Sequence, residues 1–174
     1  ILYEAGLPPD ALSVITGSGG EVGRALITDS RPRMVTFTGS ADVGKSILAE
    51  AGLKRTAMEL GSNSAVIVTE NCDVRAAAER SARGAFALAG QVCISVQRVL
   101  VERTVMEPFL DRAAQVAEAL AVGDQLSETT DVGPMIDERE ARRAESWLEE
   151  AIALGADVAC GGTREGTLFR PTVL

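Results

Sequence analysis

The fold class is decided by the stretch Met34-Val35-Thr36-Phe37-Thr38-Gly39-Ser40-Ala41-Asp42-Val43-Gly44. Its first five residues are each aliphatic, aromatic or β-branched, which predicts a strand that ends at Thr38. Gly39 breaks the strand, and Ser40 is placed to cap a helix predicted over Ala41 to Ala51. A strand, a turn and a helix in this order are typical of an α/β protein.

The segment before this stretch shows the same order of elements. The apolar run Ser13-Val14-Ile15-Thr16 predicts a strand that leads into Gly17-Ser18-Gly19-Gly20, and a short helix is predicted over Val22 to Ile27. Gly17, Gly19, Gly20 and Gly23 superficially resemble a dinucleotide fingerprint. Their spacing does not follow G-x-G-x-x-G, so a tight turn after a strand is the favoured explanation.

The remaining chain continues the alternation of strands and helices. An extended stretch over Ala57 to Leu60 and a β-branched run over Ser64 to Val68 are both typical of a parallel sheet. The further predicted elements are a helix over Asp73 to Ala89, a strand over Val96 to Glu102, a helix over Met106 to Leu120, a helix from the D-x-x-E capping box at Asp137 to Gly155, and short strands over Asp157 to Cys160 and Phe169 to Leu174.

Composition and charge exclude several classes of protein. A chain of 174 residues with 46% hydrophobic and 24% charged residues is ordinary for one soluble domain, which argues against disorder and coiled coil. The formal net charge of −8 gives no electrostatic attraction for a nucleic acid. No apolar run reaches the ~20 residues that cross a bilayer. We therefore expect a cytoplasmic protein that binds neither nucleic acid nor membrane.

The counts of cysteine and histidine restrict the chemistry further. Cys72, Cys93 and Cys160 are widely spaced and odd in number, so they form neither a disulfide framework nor a zinc site, and we expect no metal. The sequence contains no His, which excludes a Ser-His-Asp or Cys-His centre within this chain. A general base here must be a carboxylate or a Lys.

Three places in the chain are candidates for chemistry, each with a structural alternative. Ser40 and the free N–H groups of the following helix start can hold a phosphate, although Asp42 in the first turn would repel it unless its side chain points aside. Glu59 stands among apolar residues, where a buried carboxylate would suit a general base and an exposed one at a strand end would be unremarkable. Cys93 lies at a break between a helix and a strand and is either a nucleophile or a small core residue.

Taken in order, these segments resemble the NAD(P)-dependent aldehyde dehydrogenase superfamily. The motifs that carry the resemblance are F-T-G-S-x-x-x-G over Phe37 to Gly44, the E-L-G of the glutamate motif over Glu59 to Gly61, and G-Q-x-C over Gly90 to Cys93. Ser62 stands where the family usually has a second Gly. The family's upstream Asn and Lys and its downstream Glu-x-Phe-Gly-Pro element are not present, and we expect the chain to be a piece of a longer protein.

The resemblance implies an α/β fold that is a fragment of the aldehyde dehydrogenase fold. Residues 1–60 would be the end of the Rossmann-like NAD(P)-binding domain, and residues 61–174 would be the start of the catalytic domain. The cofactor, NAD or NADP, would contact a set of five residues, of which Gly17 would lie toward the adenine. These residues are Gly39, Ser40, Gly44, Gly17 and Leu60.

The resemblance also implies a mechanism. In the full-length parent, Cys93 would attack a small aldehyde to form a thiohemiacetal, oxidation would leave a thioester, and Glu59 would act as general base in its hydrolysis to a carboxylic acid. Val92 and Ile94 would help to line the aldehyde tunnel, and small hydroxylated or phosphorylated aldehydes would be the substrates. The parent would be a homo-oligomer, and the isolated fragment would be inactive.

Two alternatives to this function remain open at this point. A CoA-acylating aldehyde dehydrogenase would pass the acyl group to CoA instead of water, although such relatives commonly lack the base that Glu59 provides. The chain could also be a structural or binding module that keeps the scaffold without the chemistry. The presence of both Glu59 and Cys93 favours the hydrolysing enzyme over either alternative.

Overall fold

The computed structural model describes all residues from Ile1 to Leu174. The chain divides into two compact units, Ile1–Gly61 and Ser62–Leu174. The helices are α1 (Arg24–Thr28), α2 (Ala41–Ala51), α3 (Val74–Phe86), α4 (Met106–Ala119) and α5 (Glu138–Ala153). The strands are β1 (Met34–Thr38), β2 (Arg55–Glu59), β3 (Ala65–Val68), β4 (Arg98–Val101), β5 (Arg164–Glu165) and β6 (Leu168–Phe169).

The first unit is built around the predicted strand–turn–helix stretch. Strand β1 pairs in parallel with β2, and α2 makes the connection between them, so β1, α2 and β2 form one βαβ unit. The bounds of β1 and α2 are those that the sequence predicts. Helix α2 ends before Gly52, whose φ of 62° is a left-handed conformation that glycine adopts without a steric penalty.

One predicted strand of the first unit is wrong. Residues 12–16 are extended at Leu12 but pair with no other strand, and Val14 and Ile15 are exposed. A β-branched run forms a strand only where a neighbouring strand satisfies its backbone groups, and this structure offers none there. The predicted short helix is confirmed in kind: a π-helical turn over Gly19–Gly23 leads directly into α1.

The second unit contains a second βαβ unit and three long helices. Strand β3 pairs in parallel with β4, and α3 connects them. The core lies where α3 and α4 cover one face of this sheet, and Val68 is 1% exposed there. The opposite face carries Ile67, which is 72% exposed, and Leu100, which is also exposed. The parallel sheet is therefore apolar on both faces but covered on only one.

Helix boundaries in the second unit follow their caps. The Asp73 side chain accepts a hydrogen bond from Ala76 N and begins α3, and the Asp137 side chain accepts one from Glu140 N and begins α5. The predicted capping box is thus half formed, because the Glu140 carboxylate pairs with Arg139 and Arg143 instead. Helix α3 stops at Phe86, three residues earlier than predicted, because Leu88 and Ala89 are left-handed.

The two short strands predicted at the end of the chain are wrong in their extent. A single antiparallel bridge joins Cys160 to Val173, and between them a small hairpin pairs β5 with β6. The turn of this hairpin contains Gly166 with a φ of 58°. The Glu-Gly-Thr sequence at this turn was the available signal for the hairpin.

Candidate functional site

Two of the predicted site segments lie together at one edge of the β1–β2 sheet. Thr38 and Glu59 form the last pair of the parallel register, and the Gly39 N–H donates to the Glu59 carbonyl oxygen at 3.1 Å. The carboxyl ends of parallel strands are where α/β proteins bind ligands. The structure therefore brings Glu59 and the Gly39–Ser40 turn to the same edge of the first unit.

The start of α2 offers hydrogen-bond donors at this edge. Ser40 accepts a hydrogen bond at Oγ from Val43 N at 3.3 Å, and its carbonyl oxygen accepts one from Gly44 N at 3.0 Å. The N–H groups of the first helical residues have no acceptor within a helix, and such groups attract anions. A side chain at Gly39 would collide with the Phe37 ring, so glycine allows that ring to pack against this turn.

Asp42 does not oppose an anion at this helix start as strongly as its position in the first turn suggests. Its side chain is 95% exposed, and its Oδ1 lies 3.8 Å from Lys45 Nζ. The carboxylate therefore points into solvent and faces a cation of the next helical turn. The sequence left its orientation open, and the structure shows that it points aside.

The same stretch also fits the P-loop pattern G-x-x-x-x-G-K-[ST], since Gly44 is followed by Lys45 and Ser46. In a P-loop these residues begin the helix after a phosphate cradle. Here the helix begins at Ala41, so Gly44, Lys45 and Ser46 lie inside α2. The geometry excludes a P-loop cradle and leaves Ser40 as the residue at the helix start.

Gly44 and Leu60 contact each other directly. Gly44 is buried in α2, and a Cβ placed on it would lie 2.7 Å from Leu60 Cδ2. Glycine therefore allows the residue after Glu59 to pack closely against the helix. The structure gives both residues a packing role, and their predicted contact with a cofactor stays a prediction.

The surroundings of Gly17 differ from those of a dinucleotide-binding turn. The strand predicted before it does not form, so the strand–turn–helix setting of a dinucleotide fingerprint is missing. A side chain at Gly17 would collide with Val22, which explains the glycine by local packing. The predicted role of Gly17 near an adenine gains no support from this geometry.

Glu59 is an exposed residue at the end of β2. Of the two alternatives for this carboxylate, the structure shows the exposed strand end and not the buried position. The side chain is therefore open to water, while its backbone is fixed by the pairing with Thr38 and Gly39. The carboxylate can accept a proton from a water molecule at this edge.

Cys93 lies in a tight turn between α3 and β4, at the amino end of β4. Ser95 N donates to the Val92 carbonyl oxygen at 3.0 Å, which makes Cys93 and Ile94 the central residues of the turn. Cys93 is exposed, and its N–H donates to no other group of the protein. The thiol is not a core residue, and the N–H beside it is free to stabilise a negative charge.

The segment before this turn is left-handed over three consecutive residues. Leu88, Ala89 and Gly90 have φ values of 52°, 55° and 73°. Each non-glycine residue in this region costs about 1 kcal/mol. A Cβ on Gly90 would lie 3.3 Å from the Ala85 carbonyl oxygen. Strained backbone therefore adjoins Cys93, and such strain persists only where neighbouring contacts hold it.

Two polar residues flank Cys93: Gln91 belongs to the G-Q-x-C motif, and the sequence reasoning gave no role to Ser95. Ser95 is 7% exposed, and its Oγ donates to the Ala85 carbonyl oxygen at 2.8 Å and accepts from Gln97 Nε2 at 2.9 Å. Gln91 hydrogen bonds through both ends of its amide. A polar residue two positions on either side of a Cys was the available signal.

The other two cysteines differ from Cys93 in their surroundings. Cys72 is exposed in the loop before α3, whereas Cys160 is buried and burial raises the pKa of its thiol. The structure contains no group of three or more His, Cys, Asp or Glu side chains that could hold a metal ion. None of its helices has the length and apolar character needed to cross a membrane.

A cleft of about 700 Å³ lies within the second unit. Its walls come from α3, α4, α5 and the last residues of the chain, and Gly90 and Gln91 are part of the lining. Cys93 is not among the residues that line it. We therefore do not assign this cleft to the aldehyde.

The whole chain matches a known protein family. The model of the Aldehyde dehydrogenase family matches residues 1–174, which is the whole chain. The chain belongs to the aldehyde dehydrogenase family. The resemblance that the three motifs carry is thereby confirmed, and so is the α/β fold class as part of the aldehyde dehydrogenase fold.

Named aldehyde dehydrogenases are similar to this chain in sequence. The 3-sulfolactaldehyde dehydrogenase of Priestia megaterium is 44% identical over 174 residues, which are 100% of this chain and 36% of that protein. The lactaldehyde dehydrogenase of Methanocaldococcus jannaschii is 38% identical over 173 residues, which are 99% of this chain and 37% of that protein. The chain thus spans little more than a third of the length of these aldehyde dehydrogenases.

Solved aldehyde dehydrogenase structures are similar in fold. The glyceraldehyde-3-phosphate dehydrogenase of Methanocaldococcus jannaschii, complexed with NADP, has a TM-score of 0.93 and 37% identity, and the match covers 98% of this chain and 38% of that one. An NAD-dependent aldehyde dehydrogenase of Sinorhizobium meliloti has a TM-score of 0.94 and 36% identity, covering 98% of this chain and 35% of that one.

Proposed function

We propose that this chain is part of an NAD(P)-dependent aldehyde dehydrogenase that oxidises a small aldehyde to a carboxylic acid. Residues 1–60 would complete the cofactor-binding domain, and residues 61–174 would begin the catalytic domain. The observation that carries the proposal is the exposed Cys93 in a turn with a free N–H group, in a chain that matches the family over its whole length.

The residues at the start of α2 fit a dinucleotide phosphate. Gly39 ends the strand beside Glu59, Ser40 caps the helix, and Asp42 points aside into solvent. We assign the phosphate contact to Gly39 and Ser40 and the support of this turn to Gly44 and Leu60. When bound, NAD or NADP supplies the acceptor for a hydride.

Cys93 supplies the nucleophile in this proposal. Its thiolate attacks the aldehyde carbonyl carbon and forms a thiohemiacetal, and the Cys93 N–H stabilises the oxyanion. Oxidation of the thiohemiacetal leaves a thioester on the Cys93 sulfur. The exposed position of Cys93 in the turn allows an aldehyde to reach it, and Ile94 lies beside it on the same turn.

Glu59 supplies the general base in this proposal. It takes a proton from a water molecule, and the resulting hydroxide attacks the thioester carbon and releases the carboxylic acid with the Cys93 thiolate. The exposure of Glu59 to water at the end of β2 and its fixed backbone support this role.

The substrate we propose is a small aldehyde with a hydroxyl or anionic group. The relatives are named for 3-sulfolactaldehyde and lactaldehyde, and a solved structure for glyceraldehyde 3-phosphate. These aldehydes are all short and polar. The complete enzyme is proposed to be a homo-oligomer.

Replacement of the nucleophile tests this function in the complete enzyme. Cys93→Ala should abolish aldehyde-dependent NAD(P)H formation and leave cofactor binding nearly intact, measured by absorbance at 340 nm and by cofactor titration. Cys72→Ala is the matched control, because Cys72 is also exposed but lies in another loop, and it should keep full activity. Appreciable turnover by Cys93→Ala would rule out its role as nucleophile. This chain alone should form no NAD(P)H.

Replacement of the base separates the two halves of the reaction. Glu59→Gln should keep a rapid burst of NAD(P)H but slow steady-state turnover by about 10²–10⁴-fold, because thioester hydrolysis loses its base. Glu149→Gln, which changes an exposed carboxylate on α5, is the control. A Glu59→Gln enzyme without a burst would place Glu59 at an earlier step than hydrolysis.

A further inference from the structure

Gln91 connects the turn of Cys93 to a distant part of the second unit. It stands two residues before Cys93, directly after the left-handed segment Leu88–Gly90. Its Nε2 donates to the Leu88 carbonyl oxygen at 3.1 Å, and its Oε1 accepts from Ile136 N at 2.8 Å. Ile136 lies 45 residues further along the chain, just before α5. One side chain thus joins two loops that are far apart in the sequence.

The left-handed segment makes such a connection necessary. Leu88 and Ala89 are in a conformation that side-chain-bearing residues rarely adopt, so the segment relaxes unless its ends are held. The Leu88 carbonyl oxygen accepts hydrogen bonds from both the N–H and the Nε2 of Gln91. Gln91 therefore closes the left-handed segment on itself at the point where the Cys93 turn begins.

The two flanks of the turn are held in different ways. On the downstream side, the buried Ser95 hydroxyl donates to the Ala85 carbonyl oxygen at the end of α3. On the upstream side, the hydrogen bond of Gln91 to Ile136 N fixes the turn to the loop before α5. The backbone bond from Gln91 N–H to the Leu88 carbonyl oxygen is local, so the Gln91 side chain provides the link between the upstream flank of the Cys93 turn and the loop before α5.

We propose that Gln91 is a positioning residue for the nucleophile: its amide bridges the Leu88 carbonyl oxygen and the Ile136 N–H and thereby fixes the orientation of the Cys93 turn. This inference rests on the proposed role of Cys93. Gln91 acts through the turn, so its loss lowers the rate of attack by Cys93 and leaves the binding of aldehyde and cofactor nearly unchanged.

The test compares Gln91→Leu with Gln115→Leu in the complete enzyme. Leucine is apolar and removes both side-chain hydrogen bonds, and Gln115 is an exposed glutamine on α4. Gln91→Leu should lower kcat by about tenfold to a hundredfold, with KM changed less than about threefold, because misplacement by about 1 Å costs up to that much. Gln115→Leu should match the wild type in kcat, KM and thermal unfolding midpoint.

A second measurement reads the Cys93 turn without any turnover. Iodoacetamide labelling followed by trypsin places Cys93 and Cys72 on separate peptides, residues 84–98 and residues 56–75. In Gln91→Leu, the alkylation rate of Cys93 relative to Cys72 should fall about threefold or more, because the turn no longer holds the Cys93 side chain in its exposed orientation. Gln115→Leu should leave this ratio unchanged.

The outcomes distinguish the proposals. Wild-type kcat and an unchanged alkylation ratio in Gln91→Leu would overturn the positioning role, while the Cys93→Ala result still stands for the nucleophile. If the wild-type enzyme oxidises no aldehyde, the proposed function fails and the alkylation ratio alone decides about Gln91. Should Gln91→Leu not fold, Gln91→Glu keeps the acceptor for Ile136 N and loses the donor to Leu88, and full activity in it would refute the two-sided bridge.

Discussion

Replacing Gly44 with alanine tests whether this glycine serves close packing in the first unit. Alanine in a helix interior is favoured over glycine by about 1 kcal/mol. The new Cβ would lie 2.7 Å from Leu60 Cδ2, and an overpacked contact of this kind costs about 1–3 kcal/mol. We therefore expect Gly44→Ala to lower the local stability of α2 by up to about 2 kcal/mol.

Removing the obstacle should reverse the sign of this effect. In a Leu60→Ala background the Cβ at position 44 meets no Leu60 side chain, so Gly44→Ala should stabilise α2 by about 1 kcal/mol. The two residues are then coupled by about 1–3 kcal/mol. Gly23→Ala is the control, because Gly23 has helical angles of −60° and −48° with no atom within 4 Å of a Cβ, and it should stabilise by about 0.4–1 kcal/mol.

Hydrogen exchange of the α2 amides measures these changes in the complete enzyme, where 1.4 kcal/mol corresponds to a tenfold change in protection. Gly44→Ala should exchange faster than the wild type, and the double variant with Leu60→Ala should exchange more slowly than Leu60→Ala alone. If Gly44→Ala instead gains as much protection in the α2 amides as Gly23→Ala gains in the α1 amides, the close contact between α2 and Leu60 does not limit this position and the packing role is refuted.

Two further predictions concern the second unit. Ala89→Gly should stabilise this unit by about 1 kcal/mol, because glycine adopts the left-handed conformation of position 89 without a steric penalty. Gly90→Ala should destabilise it by about 1–2 kcal/mol, because position 90 is also left-handed and the new Cβ meets the Ala85 carbonyl oxygen. Chemical denaturation measures both free energies of unfolding, and two changes of the same sign would contradict this explanation. Hydrogen bonds from Arg112, and secondly Arg75, hold the pKa of Glu79 below its ordinary value of 4.5. The stabilisation by this carboxylate is therefore present above pH 4.5 and is lost as the pH falls through the lowered pKa. The thermal unfolding midpoints of the wild type and Glu79→Gln should therefore converge in acid. A constant difference between the two midpoints at all pH values would refute this prediction.

Local patterns determined the elements that the sequence predicted well. Strand β1 and helix α2 were predicted with their observed bounds, because a β-branched run, a capping Ser40 and a terminal Gly52 all lie within 19 residues. The strand predicted over residues 11–16 is wrong, because a strand also needs a partner, which a local pattern cannot reveal. The shortened end of α3 was equally hidden, since Leu88 and Ala89 are residues that ordinarily continue a helix.

The sequence named candidate site residues, whose roles stay predictions, but it did not reveal the contacts around them. Glu59 and Cys93 stand out in the sequence as a carboxylate and a thiol at breaks between elements, and the structure places both at exposed positions. The bridge of Gln91 to Ile136 N joins residues 45 positions apart, so no window of sequence contains it. The burial of Gly44 against Leu60 likewise depends on how α2 packs on β2.

The uncovered side of the β3–β4 sheet has a consequence for handling this polypeptide. Ile67 and Leu100 present apolar side chains to water, and both strands of this pair keep one edge without a partner strand. Unpaired edges beside apolar surface are the places where chains associate with one another. Aggregation during expression would therefore begin at this sheet, and low temperature and low protein concentration are the conditions under which the polypeptide should stay dispersed.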